Sequence, residues 1–184
     1  GSIFKVKVKH QIKGSGGIFV ESPDGDFFLH KTKGITAGDV ILVQVSSYGD
    51  REKLPRVTTK LLFKSRYVIV TPFNEGLNIA KNIQDNERRI QLKQLVVEGL
   101  NHIPYGMIMR SSCVSANKSE IINDCKNTIM TAQNVLSAED KQMGLIHRAP
   151  SPHQLAWREW IDMPALDKTS GTFAEHGVLE LIDE

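Results

Sequence analysis

The spacing of apolar residues changes character near residue 61, and this change constrains the fold more than any other feature of the chain. Before it, apolar and polar residues alternate over short runs such as Ile3-Phe-Lys-Val-Lys-Val-Lys9, a pattern that predicts half-buried strands. After it, apolar residues recur at intervals of three and four between Ile122 and Leu136, which predicts a helix with one buried face. The sequence therefore predicts an all-β region followed by a mixed region.

Five short strand-forming segments precede residue 61, and turn-forming residues separate them. The segments are Ile3–Lys9, Ile18–Glu21, Phe27–His30, Asp39–Val45 and Arg56–Lys60. Runs rich in glycine, proline and aspartate, such as Pro23-Asp-Gly25, are typical of the tight turns between them. So many short strands in so little chain predict a small OB-type β-barrel over residues 1–61.

Strand and helix signals alternate from residue 62 to residue 143. Strands are predicted at Tyr67–Val70 and Met107–Met109, and helices are predicted from Asp85 to about Gly99 and from Asn117 onward. This order predicts an α+β subdomain, so the fold class of the whole chain is α+β. In the first helix we expect Ile90 to face the core and Arg89 to face outward, and at the start of the second we expect Asn117 and Glu120 to form a capping box. In the remaining segment, 144–184, a strand is predicted at Gly144–His147 and helices are predicted from Pro152 and from Ala174 to Glu184, and we expect no separate core there.

Composition excludes some classes of protein and leaves others open. The formal net charge of +2 permits binding to nucleic acid without requiring it. No apolar run approaches the ~20 residues that span a bilayer, and no signal peptide pattern is present, so we expect no membrane contact. Cys113 and Cys125 lack metal-binding or disulfide spacing and fit a reducing, cytoplasmic location. The opening Gly-Ser leads us to expect a piece of a longer protein.

The segment Ile103–Ser112 carries the most distinctive chemistry. An apolar run ends in Arg110, Ser111 and Ser112, and the guanidinium fork of arginine matches the oxygens of a phosphate group. We expect this guanidinium to be open to solvent in a pocket. The ordinary alternative is a solvated strand end with no ligand. A second apolar run, Arg66–Pro72, lies upstream and also ends in a turn.

Together these two runs resemble the 5′-sensor region of the ribonuclease E/G family. In that family a Gly-Met-apolar-apolar-Arg-Thr pattern follows a strand that begins with tyrosine and ends at proline. The resemblance implies that Ser65, Ile69, Arg110 and Ser111 bind the 5′-monophosphate of an RNA end. Ser65 stands where the family commonly has glycine, and Ser111 keeps the hydroxyl of the family's threonine.

The first region resembles the RNA-binding OB-fold domain of the same family. The matching segments are Gly17-Ile-Phe-Val-Glu21, Phe27-Phe-Leu29 and Lys53-Leu-Pro-Arg-Val-Thr-Thr59. The resemblance implies that Phe19, Phe28 and Lys53 contact single-stranded RNA, and that Lys81 lies along the RNA path. The alternative from the residues alone is that both phenylalanines belong to the barrel core, where most strand phenylalanines lie.

The resemblance implies an RNA-binding and 5′-monophosphate-sensing part of a bacterial, magnesium-dependent endoribonuclease involved in RNA processing and decay, which is a homo-oligomer in its full form. Residues 144–184 would then be a partial ribonuclease-H-like segment or a linker to the catalytic domain. The family's paired catalytic aspartates and Cys-Pro-x-Cys element are not found in this sequence. We therefore expect no catalytic residue, metal or cofactor here, and no RNA cleavage by this piece alone. The alternatives are a non-catalytic OB-fold RNA-binding adaptor without 5′-end sensing, which Ser65 and Asn82 favour, and a protein-interaction scaffold.

Overall fold

The computed structural model describes residues 1–12, 16–30, 32–49, 53–137 and 142–159. The strands are β1 (Ile3–Ile12), β2 (Gly17–Ser22), β3 (Gly25–His30), β4 (Val40–Ser47), β5 (Arg56–Thr58), β6 (Phe63–Lys64), β7 (Val68–Thr71), β8 (Leu77–Ile79), β9 (Gly106–Met109) and β10 (Gly144–His147). The helices are α1 (Asn86–Gly99), α2 (Lys118–Leu136) and α3 (Pro152–Glu159), and a 3-10 turn covers Ser111–Cys113. The α+β class is confirmed, whereas the helix predicted from Ala174 lies outside the described residues.

The first five strands form a closed barrel. They lie in the order β1-β2-β3-β5-β4, and pairing between β1 and β4 closes the ring. All neighbours are antiparallel except β3 and β5. The interior is filled by alternate strand residues, among them Val6, Val20, Leu29 and Val43, which are almost fully buried. The predicted OB-type barrel is therefore confirmed.

The strand β10 joins the barrel although it follows the second region in the chain. It pairs antiparallel with β1, and Ile3 lies opposite His147. The barrel and the second region are also joined by the Gln44 side chain, which accepts from the N–H of Leu62 and donates to its carbonyl, at 2.8 and 2.9 Å. The two regions therefore pack directly against each other.

The second region is a four-stranded sheet in the order β6-β7-β9-β8, with β8 and β9 parallel. Helices α1 and α2 cover it. The core between them contains Met107, Met109, Leu92 and Ile121, all fully buried. By the transfer energies of apolar side chains, each of these contributes about 2–3 kcal/mol.

The helix α1 begins as predicted but presents a different face. Asp85 caps it, because its carboxylate accepts from the N–H groups of Glu87 and Arg88. The prediction that Ile90 faces the core is wrong, since that side chain is 58% exposed. The prediction that Arg89 faces outward is also wrong, because its guanidinium donates to the carbonyls of Ala80 and Ile83. Leu92 and Val96, four residues apart, form the buried stripe, and Ile90 falls on the opposite side.

The helix α2 begins after Asn117 as predicted, but not with the predicted capping box. The Asn117 side chain makes no cap hydrogen bond, and the Glu120 carboxylate instead accepts from the Tyr67 hydroxyl at 2.9 Å. The buried stripe also lies one residue from the predicted one at each end, because Ile121 and Val135 are buried. No helix in the described ranges is long and apolar enough to cross a membrane.

Candidate nucleic-acid interface

The ends of three strands bring most of the predicted phosphate-binding residues to one edge of the second sheet. The parallel strands β8 and β9 finish at this edge, so Lys81 and Arg110 lie just beyond neighbouring strands. The turn between β6 and β7 meets them there, because the N–H of Arg110 donates to the carbonyl of Tyr67 at 2.8 Å. Ile69 lies within β7, opposite Ile108, and is half-buried.

The Arg110 guanidinium is held by a carbonyl and by a carboxylate. Its Nη1 donates to the backbone oxygen of Ser65, and it also donates to Oε1 of Glu159 at 3.1 Å. Its Nη2 pairs with Oε2 of the same carboxylate. The Arg110 side chain is 23% exposed and that of Glu159 is 43% exposed. The expectation that the Arg110 guanidinium is open to solvent is therefore wrong, because the guanidinium forms a two-pronged ion pair with Glu159 on α3.

Acidification is expected to release α3 from Arg110. The hydrogen bond from Arg110 is the main reason that the pKa of Glu159 lies below the ordinary glutamate value. The ion pair therefore stabilises the contact between α3 and Arg110 at pH values above the ordinary glutamate pKa of about 4.3, and this stabilisation is lost as the pH falls through the lowered pKa of Glu159. Because Trp157 lies two residues before Glu159 on α3, tryptophan fluorescence should show an acid transition. The same transition in a Glu159→Gln variant would contradict this assignment.

The Ser65 hydroxyl is turned to the helix α2. It donates to Oδ2 of Asp124 at 2.6 Å and lies 3.0 Å from the carbonyl of Val68. The same Asp124 oxygen accepts from the N–H of Tyr67 at 2.8 Å. Asp124 therefore shapes the turn that contacts Arg110. Sequence reasoning missed it, although a carboxylate between the buried residues Ile121 and Cys125 is the signal that points to it.

A polar cavity lies beside the same turn. Its volume is about 270 Å³, and Arg66, Tyr67, Ser112 and Asn117 are among its lining residues, whereas Arg110 is not. The Ser112 hydroxyl donates to the carbonyl of Arg66, so it is engaged in holding the turn. Ser111 is exposed at the start of the 3-10 turn, and its hydroxyl has no partner among the described residues.

On the barrel, Phe19 and Phe28 lie directly opposite each other on the outer surface. They are paired in register on β2 and β3, and both are half-buried. Neither belongs to the barrel core, which takes Phe27 instead. Lys53 is exposed in the segment that leads into β5, and Lys81 is exposed beyond β8 on the second sheet. The predicted RNA-contacting residues therefore lie on the protein surface in two places.

A glycine determines where the Phe28 ring lies. A Cβ atom added to Gly17 would be 2.1 Å from the nearest ring atom of Phe28, so the ring covers this glycine. The ring also meets His30 edge-on, with centroids 5.2 Å apart. The Phe28 ring therefore lies against the backbone of Gly17 on the neighbouring strand, as aromatic residues often do over a glycine.

The described residues do not provide a metal centre or a reactive thiol. Within the described ranges, no three histidine, cysteine, aspartate or glutamate side chains are arranged to hold a metal ion. The residues present therefore do not fit the magnesium that the family resemblance implies for the parent enzyme. Burial raises the pKa of Cys113 to about 11 and that of Cys125 to about 12, so both thiols stay protonated.

Comparison with known proteins supports the resemblance. Residues 63–165 match the model of the Ribonuclease E/G family, which is more than half of the 184 residues. The Ribonuclease E/G-like protein of Pyropia yezoensis is 29% identical over 93 residues, covering 50% of this chain and 18% of that protein. Ribonuclease G of Haemophilus influenzae is 25% identical in an alignment 187 residues long, which covers 88% of this chain and 38% of that protein.

A third relative, the Ribonuclease E of Synechocystis sp., is 29% identical over 87 residues, which cover 47% of this chain. This chain spans only 13% to 38% of the length of these three relatives. The matched range nevertheless includes the second sheet, α1, α2 and α3, which carry Arg110 and its partners. The chain therefore belongs to the ribonuclease E/G family.

Proposed function

We propose that this chain forms the RNA-binding and 5′-end-sensing region of a ribonuclease E/G-type endoribonuclease. The observation that carries the proposal is the two-pronged contact between Arg110 and the carboxylate of Glu159. A guanidinium that receives two oxygens of a carboxylate also has the geometry to receive two oxygens of a phosphate. In this proposal, Glu159 stands where the terminal phosphate of an RNA binds.

The phosphate must displace Glu159, and charge favours this exchange. A phosphate monoester carries about −1.5 to −2 charges near neutral pH, whereas a carboxylate carries one. The Glu159 side chain is 43% exposed, so solvent screens its attraction to Arg110. The carbonyl of Ser65 keeps the guanidinium in position during the exchange. Ser111 is exposed beside it and offers a further hydroxyl donor.

The barrel would hold the body of the RNA. Aromatic side chains on the surface of an OB-type barrel stack on unpaired bases, and Phe19 and Phe28 are exposed enough to do so. Lys53, and Lys81 on the second sheet, would neutralise backbone phosphates. We assign hydrolysis and its magnesium to residues of the parent protein outside the described ranges, in a cytoplasmic homo-oligomer.

The Glu159→Gln substitution tests the sensing part of the proposal. Removing the carboxylate's charge frees Arg110, so affinity for a 5′-monophosphorylated RNA should rise about tenfold, the gain expected from one charge-assisted hydrogen bond. Affinity for the matching 5′-hydroxyl RNA should not change. Fluorescence anisotropy with short single-stranded RNAs measures both. Glu98→Gln, an exposed change on α1, is the control. Equal affinities for the two RNAs in both variants would contradict sensing.

A second candidate function is an RNA-binding adaptor without 5′-end sensing. The observation that favours it is the same ion pair, because Glu159 already neutralises Arg110. An adaptor would bind RNA in a strongly salt-dependent way, through Lys53 and its neighbours, with no preference for either 5′ end. The RNA pair that differs only in its 5′ phosphate therefore distinguishes the two functions.

Substituting Gly17 by alanine is expected to weaken RNA binding by displacing the Phe28 ring. The added methyl group would lie 2.1 Å from a ring atom, so the ring must move off the strand surface. We expect about fivefold weaker binding of single-stranded RNA, somewhat less than the loss of one stacked base. In a Phe28→Ala background the same glycine substitution should have no further effect, and an additive loss would contradict the assignment.

A further inference from the structure

The two phenylalanines are the middle members of a row that crosses four barrel strands. His10 on β1 lies opposite Phe19 on β2, which lies opposite Phe28 on β3, which lies beside Arg56 on β5. Residues in register on neighbouring strands project from the same face of a sheet. The row therefore places an imidazole and a guanidinium on either side of the two rings.

A β-bulge is the reason that His10 faces outward. Val8 pairs with Val20 and His10 pairs with Phe19, so Lys9 is an extra residue in β1. Without it, strict alternation would place His10 on the same side as the buried Val8. Because of the bulge, both Lys9 and His10 are exposed. The His10 and Phe19 rings form a stacked pair, with centroids 5.3 Å apart and planes inclined by 25°.

A second bulge lies beyond the other end of the row. Val45 pairs with Val57 and Ser47 pairs with Arg56, so Ser46 is the extra residue in β4. Arg56 is exposed next to Phe28, and within the described residues its guanidinium has no carboxylate partner. A guanidinium plane stacks on bases and also attracts phosphate, which makes arginine a common member of single-strand binding surfaces.

We propose that His10 and Arg56 extend the Phe19–Phe28 pair into one four-residue stacking surface for unpaired RNA bases. This inference rests on the proposed RNA-binding function of the barrel and adds its outer contacts. Three strand spacings of about 4.8 Å give the row a length of about 14 Å. With one base on each of the four side chains, the row binds about four nucleotides, at the lower end of the ~4–16 that an OB fold binds.

A length series of RNAs tests this surface. Oligoadenylates of about two and about eight nucleotides are titrated with the full chain. Each RNA has a 5′ hydroxyl, so the proposed phosphate contact of Arg110 does not contribute to the comparison. His10→Ala and Arg56→Ala should each weaken binding of the longer RNA about tenfold, since each removes one stacking contact, and leave the dinucleotide unaffected. Arg56→Lys should lose part of this affinity but keep the salt dependence, because it retains the charge and loses the plane.

The controls are His102→Ala and Arg148→Ala, which change exposed residues of the same types elsewhere. Unchanged binding in His10→Ala and Arg56→Ala, together with weaker binding in Phe28→Ala, would overturn the extended surface and leave barrel binding intact. Tighter binding in His10→Ala would also overturn it, because His10 would then cover Phe19. Failure of the unaltered chain to bind any oligoadenylate at low salt would overturn the proposed function itself.

Discussion

Arg110→Ala, introduced into the Glu159→Gln chain, is expected to lower affinity for 5′-monophosphorylated RNA about 100-fold. Two charge-assisted hydrogen bonds to the phosphate are lost, and such bonds are worth about 1.5–3 kcal/mol each before solvent screening. The preference over 5′-hydroxyl RNA should disappear completely, because Arg110 supplies the charge that distinguishes the two ends. Binding of 5′-hydroxyl RNA through the barrel should be unaffected.

The measurement is a titration of the single and double variants with RNAs that differ only at the 5′ end. Arg110→Lys is an informative companion, because it keeps the charge and loses the fork, so part of the preference should remain. Arg148→Ala controls for the general loss of positive charge. A preference for the 5′ phosphate that survives in the double variant would place the sensing group elsewhere.

Asp124→Ala is expected to lower the free energy of unfolding by about 3 kcal/mol. The Asp124 carboxylate accepts from the Ser65 hydroxyl and from the N–H of Tyr67, at 2.6 and 2.8 Å. Hydrogen bonds to charged groups contribute about 1.5–3 kcal/mol each, and leaving a half-buried N–H unpaired adds a further cost. Because the same turn contacts Arg110, the variant should also weaken 5′-phosphate recognition.

Urea denaturation followed by circular dichroism measures the change in stability. Asn123→Ala is the matched control, since it removes an exposed polar side chain from the neighbouring position of α2. A loss below about 0.5 kcal/mol in Asp124→Ala, typical of surface substitutions, would show that the carboxylate does not stabilise the turn.

Local patterns in the sequence predict the barrel well. The five predicted strand segments before residue 61 all overlap strands of the structure. The interpretation from the residues alone that Phe19 and Phe28 belong to the barrel core is wrong, because strand phenylalanines are usually buried but these two lie on the outer face. The bulge at Lys9 was not predictable, because an extra residue in β1 becomes visible only once its partner strand is known. The pairing of β10 with β1 was unpredictable for a related reason, since neither strand alone indicates a partner about 140 residues away.

The candidate site was predicted only in part. The position of Arg110 at a strand end follows from the apolar run before it. Its partner Glu159 lies 49 residues further along the chain, on a helix with no buried residue, so no periodic signal connects the two. Asp124 is the opposite case, because its position within the buried stripe of α2 could have been noticed.

The pairing of β10 with β1 has a mechanical consequence. The chain leaves the second sheet through α2, returns to the barrel at β10, and then reaches Arg110 again through Glu159 on α3. Together with the two hydrogen bonds between the Gln44 side chain and the backbone of Leu62, this path connects the barrel to the sheet edge at several points. We therefore expect an RNA bound at both places to have a constant number of nucleotides between its 5′ phosphate and the bases on the barrel.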